Sequence, residues 1–174
     1  VQTRIGPVDK FSRGDDVLRE NAPDGSALAR LEEDADETDQ VARRPIEPKF
    51  LPQAVAYSGP EKPGTIIIDT PNRFLFLVLD DGRALRYGIG VGRAGYTWSG
   101  VKQVSAKREW PDWIPPEEMR ERRPDLPHFM AGGPENPLGA RAMYLGSSLY
   151  RIHGSNEPWS IGTAVSSGCI RMRN

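Results

Sequence analysis

From about residue 63 onward, the apolar positions fall in short runs typical of β-strands, not in the spacing of an amphipathic helix. Residues 65–68 are mostly β-branched, and residues 73–79 form a strongly apolar run. Asp80-Asp81-Gly82 comes next, and an Asp-Gly pair readily takes the positive φ values of a tight hairpin turn. Residues 84–91 are then the returning strand. The pattern predicts a mostly β domain with two packed sheets.

Helical signals are few and short. Pro116 lies near a first turn and Pro124 is a stop signal, which together predict a helix over residues 117–123. Residues 101–110 predict a further strand, whereas residues 125–140 are rich in proline and glycine and predict a long loop. We therefore expect one or two short helices beside the sheets.

The first 62 residues have a different composition. Between residues 15 and 40 there are ten acidic and two basic residues, and five prolines follow between residues 45 and 63. Such a segment has little to bury, so it predicts a disordered acidic tail and a proline-rich linker over residues 1–62, with at most a short helix over residues 26–33. The folded domain is expected over residues 63–174.

Charge and composition narrow the class of protein. The net charge of −1 divides into −6 over the first 81 residues and +5 over the remainder. A basic second half suits an acidic polymer, although a solvated surface is an equally good interpretation. No apolar run reaches the roughly 18 residues of a membrane span. One cysteine excludes an internal disulfide, and one cysteine with two histidines argues against a structural zinc site.

Residues 90–95 read G-x-G-x-x-G, a spacing found in dinucleotide-binding loops. Such a site needs an amphipathic helix directly afterwards, because the helix N-terminus binds the pyrophosphate. The residues that follow, 96–100, read as a loop instead. The motif therefore does not indicate a nucleotide site.

The last 22 residues carry the strongest chemical signal, Cys169 together with His153. A free thiol with a pKa of about 8.5 is mostly protonated near neutrality, and an adjacent imidazole can accept its proton. Cys169 ends a turn of small residues whose backbone N–H groups, at Gly168 and Cys169, can form an oxyanion hole. His153 ends a strand-like run, so it can meet Cys169 in space.

This segment resembles the catalytic domain of the L,D-transpeptidase (YkuD-type) family. The resemblance rests on His153-Gly154-Ser155 and on Ser166-Ser167-Gly168-Cys169-Ile170-Arg171-Met172-Arg173-Asn174. Two departures are visible: many members have a histidine where this chain has Ser167, and proline is common where this chain has Trp98. The resemblance covers roughly residues 64–174 and implies a YkuD-like β-sandwich. Family domains continue somewhat beyond the cysteine motif, so we expect a closing element to be missing after Asn174.

The resemblance implies a peptidoglycan crosslinking enzyme. Cys169 is then the nucleophile that attacks the third residue of a tetrapeptide stem, releasing the terminal D-alanine through a thioester. His153 is the proton acceptor and donor, and the Gly154 carbonyl orients its imidazole. Ser167 and Gly168 contribute to the oxyanion hole, and Arg171 binds a substrate carboxylate or forms a structural salt bridge. No metal or organic cofactor is implied.

Several alternatives remain at this stage. The same acyl-enzyme could be resolved by water, as in an L,D-carboxypeptidase, or by a protein amine, which would attach that protein to the wall. A non-catalytic peptidoglycan-binding module with an inert Cys169 is the alternative of a different class. A papain-like protease is disfavoured because its cysteine precedes its histidine. The expected partners are peptidoglycan stem peptides, not nucleic acid, and the expected location is the periplasm or cell envelope, with a targeting segment removed ahead of Val1.

Overall fold

The computed structural model describes residues 2–6 and 45–174. Within them, one α-helix, α1 (Glu117–Arg122), and two 3₁₀ turns (Pro48–Phe50 and Pro158–Ser160) accompany twelve strands. The strands are β1 (Gln2–Ile5), β2 (Gln53–Ala56), β3 (Ile66–Asp69), β4 (Phe74–Val78), β5 (Arg83–Gly88), β6 (Val91–Gly92), β7 (Gly100–Lys102), β8 (Val104–Glu109), β9 (Arg141–Leu145), β10 (Arg151–His153), β11 (Ala164–Ser166) and β12 (Ile170–Arg171). The prediction of a mostly β fold with a short helix is confirmed.

The strands form a six-stranded sheet in the order β2-β5-β4-β3-β1-β7, a four-stranded sheet in the order β12-β10-β9-β8, and the pair β11-β6. Neighbours are antiparallel except β1–β7, β10–β12 and β11–β6, which run parallel. One core joins both larger sheets, because Ile68 and Leu75 of the first cluster with Leu145, Ile152 and Ile170 of the second. Burial of these apolar side chains is what holds the sheets face to face.

The hairpin predicted around Asp80-Asp81-Gly82 is confirmed. Asp81 and Gly82 have φ values of 69° and 70°, and β4 pairs with β5 in antiparallel register on either side of them. The returning strand ends at Gly88, earlier than expected. A Cβ at Gly88 would overlap Phe50, so the close approach of Phe50 requires glycine there.

Two short strands lie ahead of the boundary predicted at residue 63, within the segment predicted to be tail and linker. β1 pairs with β3 and β7 inside the six-stranded sheet, and β2 adds to its edge beside β5. In β1 the side chains of Thr3 and Ile5 are buried, whereas Arg4 pairs with Glu61 at 2.7 Å. An alternation of four residues is too short to stand out beside an acidic stretch. That acidic stretch, residues 15–40, lies outside the described residues, as does the predicted helix at 26–33.

The predicted strand at residues 101–110 is two strands in different sheets. β7 is an edge strand of the six-stranded sheet and β8 is an edge strand of the four-stranded sheet. The chain therefore crosses between the two sheets at Gln103. The helix predicted over residues 117–123 is confirmed as α1, and residues 125–140 form the expected loop. No helix in the described part of the chain is long and apolar enough to cross a membrane.

Candidate active site

The parallel pairing of β10 with β12 brings His153 and Cys169 to the same surface. Ile152 lies opposite Ile170 in the ladder, and both side chains are buried in the core. Successive side chains of a strand point to opposite faces, so the residues that flank these isoleucines face away from the core. Cys169 directly precedes β12 and His153 ends β10. The shared face thus carries His153 and Cys169, together with Arg151 and Arg171.

His153 is buried and its ring is oriented by the backbone. Its side chain is 6% exposed, and Nδ1 lies 2.5 Å from the carbonyl oxygen of Gly154. A carbonyl oxygen can only accept, so Nδ1 carries the hydrogen and Nε2 carries the lone pair. Burial lowers the pKa of His153 to about 4, assisted by the charges of Arg171 and Arg151 and opposed by backbone hydrogen bonds to Gly154 and Leu138. The imidazole is therefore a neutral proton acceptor at physiological pH.

Asn174 joins the loop at Ala140 to the backbone that follows Gly154. Its Oδ1 accepts from the Ala140 N–H at 2.9 Å, and its Nδ2 donates to the Ser155 carbonyl at 3.1 Å. A Cβ at Gly154 would overlap the Asn174 Oδ1, so the amide occupies the space that a side chain would need. Gly154, predicted to act through its carbonyl, thus also leaves room for the Asn174 amide because it has no side chain.

A cavity of about 410 Å³ adjoins this side of the site. It is bordered by His153, Gly154 and Asn174, and by apolar groups that include Met143 and Met172. Cys169 does not line this cavity.

The thiol of Cys169 is half-buried. Its Sγ lies 3.8 Å from the Leu149 carbonyl oxygen, a weak hydrogen bond for a thiol donor. Burial raises the pKa of the Cys169 thiol, against the Arg151 backbone N–H and the guanidinium charges of Arg151 and Arg171, which lower it. The thiol is therefore protonated at rest, on the same face of the two strands as the neutral imidazole.

The turn that carries Cys169 is held by two side chains. The Ser166 hydroxyl donates to the Cys169 carbonyl at 2.7 Å and accepts from the Gly168 N–H at 3.1 Å. The Trp98 indole Nε1–H donates to the Gly168 carbonyl at 2.8 Å. The Gly168 N–H, expected in an oxyanion hole, is thus directed at Ser166. Ser167, its neighbour, is partly buried in the same turn.

Arg171 forms an ion pair with Glu157, with 19% of the arginine side chain and 42% of the glutamate side chain exposed. The sequence left two roles open for Arg171, binding of a substrate carboxylate or a structural salt bridge. The structure contains the salt bridge. Arg151 lies on the same face, with its guanidinium carbon 4.9 Å from the centre of the Tyr144 ring.

Sequence reasoning missed five contributors to this site: Trp98, Arg151, Glu157, Ser166 and Asn174. Ser166 and Asn174 stand inside the recognised motif, so their position was a usable signal. Trp98 was visible only as a departure from the expected proline. Arg151 stands two residues before His153, and the period of a strand places such residues on one face. Glu157 carried no signal, since its contact depends on the loop between the two strands.

The glycine motif at residues 90–95 has no helix behind it. Val91 and Gly92 form β6, Gly95 has a φ of +83°, and the chain continues through a loop into β7. In the described ranges, no group of three or more His, Cys, Asp or Glu side chains is placed to hold a metal ion.

The chain is similar to several known proteins. The L,D-transpeptidase catalytic domain (YkuD) matches residues 63–174. The probable L,D-transpeptidase ErfK/SrfK of Escherichia coli is 37% identical over 132 residues, which are 71% of this chain and 42% of that protein. The probable L,D-transpeptidase YbiS of the same species is 32% identical over the same shares. This chain thus spans about two fifths of the length of these relatives.

A solved structure from Brucella melitensis is also similar. That protein is named a probable carnitine operon oxidoreductase. It is 51% identical to this chain, with a TM-score of 0.57 over 74% of this chain and 84% of that one. The oxidoreductase name belongs to that protein.

Proposed function

Because the chain belongs to the L,D-transpeptidase catalytic domain family, we propose that it is a peptidoglycan L,D-transpeptidase that works through a thioester on Cys169. The observation that carries the proposal is the common face of β10 and β12. This face carries both the protonated thiol of Cys169 and the neutral imidazole of His153. Acyl transfer by covalent catalysis requires a nucleophile and a general base that activates it.

The first half-reaction forms the thioester. Cys169 Sγ attacks the carbonyl carbon of the third stem residue while His153 Nε2 takes the thiol proton. The C–N bond to the terminal D-alanine then breaks, and His153 returns the proton to the departing amine. Because His153 and Cys169 are both neutral at rest, proton transfer accompanies attack instead of preceding it.

The second half-reaction resolves the thioester. An amine from a second stem peptide attacks the thioester carbonyl while His153 takes the proton of that amine. The C–S bond then breaks as the new amide crosslink forms, and His153 returns the proton to the departing sulfur. The Gly154 carbonyl holds the imidazole in the required tautomer throughout, the part that a carboxylate plays in other triads.

The oxyanion of each tetrahedral intermediate is proposed to be bound by the Cys169 N–H, with the Ser167 N–H beside it. The Gly168 N–H supports the turn through Ser166 instead. One guanidinium nitrogen of Arg171 is paired with Glu157. A substrate carboxylate would therefore bind to the remaining guanidinium N–H groups of Arg171. Peptidoglycan lies outside the cytoplasmic membrane, so we place the enzyme in the periplasm or cell envelope.

The same acyl-enzyme serves an L,D-carboxypeptidase if water resolves it, and a protein-attachment enzyme if a protein amine does. A peptidoglycan-binding module would need neither a proton acceptor nor a nucleophile. A dinucleotide-dependent oxidoreductase is not favoured, because the glycine loop at 90–95 leads into a strand and not a helix.

Intact-mass spectrometry tests the proposal directly. The protein is mixed with a disaccharide-tetrapeptide, and Cys169→Ala is run as the matched control. We expect the wild type alone to gain the mass of a tripeptide-stem adduct, followed by a crosslinked dimer in solution. Free tripeptide without dimer would identify the carboxypeptidase. A folded wild type that forms no adduct but still binds the stem peptide would overturn the catalytic proposal in favour of the binding module.

A further inference from the structure

Trp98 reaches the catalytic turn from 70 residues away in the chain. Its indole N–H donates to the Gly168 carbonyl at 2.8 Å, and its ring stacks on Tyr150 with centroids 5.0 Å apart and planes 14° from parallel. The Lys102 ammonium lies 5.6 Å and 5.9 Å from the two ring centres. Stacking and a nearby cation fix the indole, so the direction of its N–H is fixed as well.

The carbonyl that Trp98 holds belongs to the same peptide unit as the Cys169 N–H. A peptide unit is planar and almost always trans, so its N–H points away from its C=O. A hydrogen bond that fixes the Gly168 oxygen therefore also fixes the direction of the Cys169 hydrogen. Donation to a carbonyl in addition polarises the peptide and makes its N–H a stronger donor.

Gly168 is the residue at which this peptide could most easily rotate. Its φ is +109°, a region that favours glycine, and glycine has little conformational preference of its own. The Tyr150 ring fills the place of a side chain, since a Cβ at Gly168 would lie 2.6 Å from Tyr150 Cε1. The peptide before Gly168 is fixed by Ser166 through the Gly168 N–H. The peptide after it is fixed by Trp98.

We propose that Trp98 is a positioning residue that aims the Cys169 N–H at the oxyanion of the tetrahedral intermediate, an inference that rests on the proposed function. It does so from behind the turn, without touching the substrate. The tryptophan that departs from the expected proline thus has an assigned role in the chemistry of this chain.

Acylation and alkylation of Cys169 Sγ together distinguish a role of Trp98 in positioning the N–H from a merely structural role. Acylation of Cys169 by the disaccharide-tetrapeptide passes through an oxyanion, whereas alkylation by iodoacetamide displaces iodide from a CH₂ group and does not. Trp98→Phe keeps an aromatic ring for Tyr150 to stack on and removes the N–H donor. We expect single-turnover acylation, followed by quenched intact-mass spectrometry, to slow by about 10- to 100-fold, somewhat less than outright loss of an oxyanion donor. Alkylation should proceed at the wild-type rate.

Trp110→Phe is the matched control, because it makes the same substitution at an exposed tryptophan outside the site. It should change neither rate. If Trp98→Phe fails to fold, site-specific 3-benzothienylalanine at position 98 replaces the N–H by sulfur in a ring of nearly the same shape, and the same two rates are compared.

The outcomes are distinct. Equal losses of acylation and alkylation, or no loss of acylation, would overturn the role of Trp98 and leave the proposed function standing. A wild type that is alkylated but never acylated would overturn the proposed function and this inference with it.

Discussion

The two halves of the candidate site are built in opposite ways. The histidine half is a buried strand end, where His153 is oriented by the backbone carbonyl of its own neighbour. The cysteine half is a partly exposed turn, held from behind by the side chains of Trp98 and Ser166. In the proposed mechanism the base needs one tautomer and no solvent, and burial in a sheet supplies both. The proposed nucleophile must remain open to a stem peptide, so its turn has to be supported from the side that the substrate would not occupy.

The same two arginines act differently on the two halves. The charges of Arg151 and Arg171 lower the pKa of His153 in the same direction as burial does, whereas they lower the pKa of Cys169 against burial. An arginine pair therefore favours the thiolate and disfavours the imidazolium. The histidine stays a competent base, and the developing negative charge on sulfur is partly compensated.

Removal of the proposed base, His153, should have the largest effect on activity. His153→Gln keeps a polar side chain of similar length but offers no proton acceptor, so acylation near neutral pH should fall by about 10²–10⁴-fold. The loss should shrink as the pH rises, because the thiol then ionises without assistance. The rates are measured by quenched intact-mass spectrometry from pH 6 to about pH 10, a range that spans ordinary thiol ionisation.

Unfolding curves of His153→Gln and the wild type provide the control for folding. An activity loss of the same size at every pH, with both proteins folded, would show that His153 supports the structure and does not accept the proton.

Local motifs were enough to predict a candidate chemistry for the site but not its scaffold. His153-Gly154 and Gly168-Cys169 stand in two short contiguous motifs, so the sequence could single them out as candidates. The contact of Trp98 with Gly168 joins parts of the chain 70 residues apart, and that of Asn174 with Ala140 joins parts 34 apart. β1 was missed for a related reason. Four residues carry too little pattern, and only pairing with β3 and β7 makes them a strand.

Two glycine substitutions compare the halves directly. Gly168→Ala combines a φ of +109° with a Cβ 2.6 Å from the Tyr150 ring, and should destabilise the fold by about 2–4 kcal/mol. Gly154→Ala overlaps only the end of the Asn174 side chain, which can swing away at the loss of its hydrogen bonds. We expect it to cost about 1–2 kcal/mol. Urea unfolding measures both, and a larger cost at Gly154 would reverse the ranking.

The buried imidazole predicts a pH dependence of stability. The pKa of His153 is lowered from 6.5 to about 4. As the pH falls through 6.5 the unfolded chain gains a proton that the native state does not gain until about pH 4. Stability from this group is therefore fully present above pH 6.5 and is lost between 6.5 and about 4, by up to about 3 kcal/mol.

The measurement is the free energy of unfolding from pH 7 to about pH 4, for the wild type and for His153→Gln. The carboxylates that the two proteins share contribute equally to both profiles, so the difference isolates the histidine. Parallel profiles would mean that His153 is protonated as readily in the fold as outside it.

The smallest expected effect concerns the ion pair beside the cysteine half. Glu157 is 42% exposed, so its bond to Arg171 should contribute no more than about 1 kcal/mol, and Glu157→Gln should barely change the unfolding curve. If Arg171 also binds a substrate carboxylate, Glu157 competes with that substrate for the guanidinium. Glu157→Gln should then lower KM for the tetrapeptide by up to about fivefold at unchanged kcat, the equivalent of that 1 kcal/mol. Asp125, which pairs with Arg123, supplies the matched control Asp125→Asn, for which no change in KM is expected. An unchanged KM in Glu157→Gln would mean that Arg171 does not bind the substrate. Its roles would then be the ion pair with Glu157 and the electrostatic lowering of the Cys169 pKa.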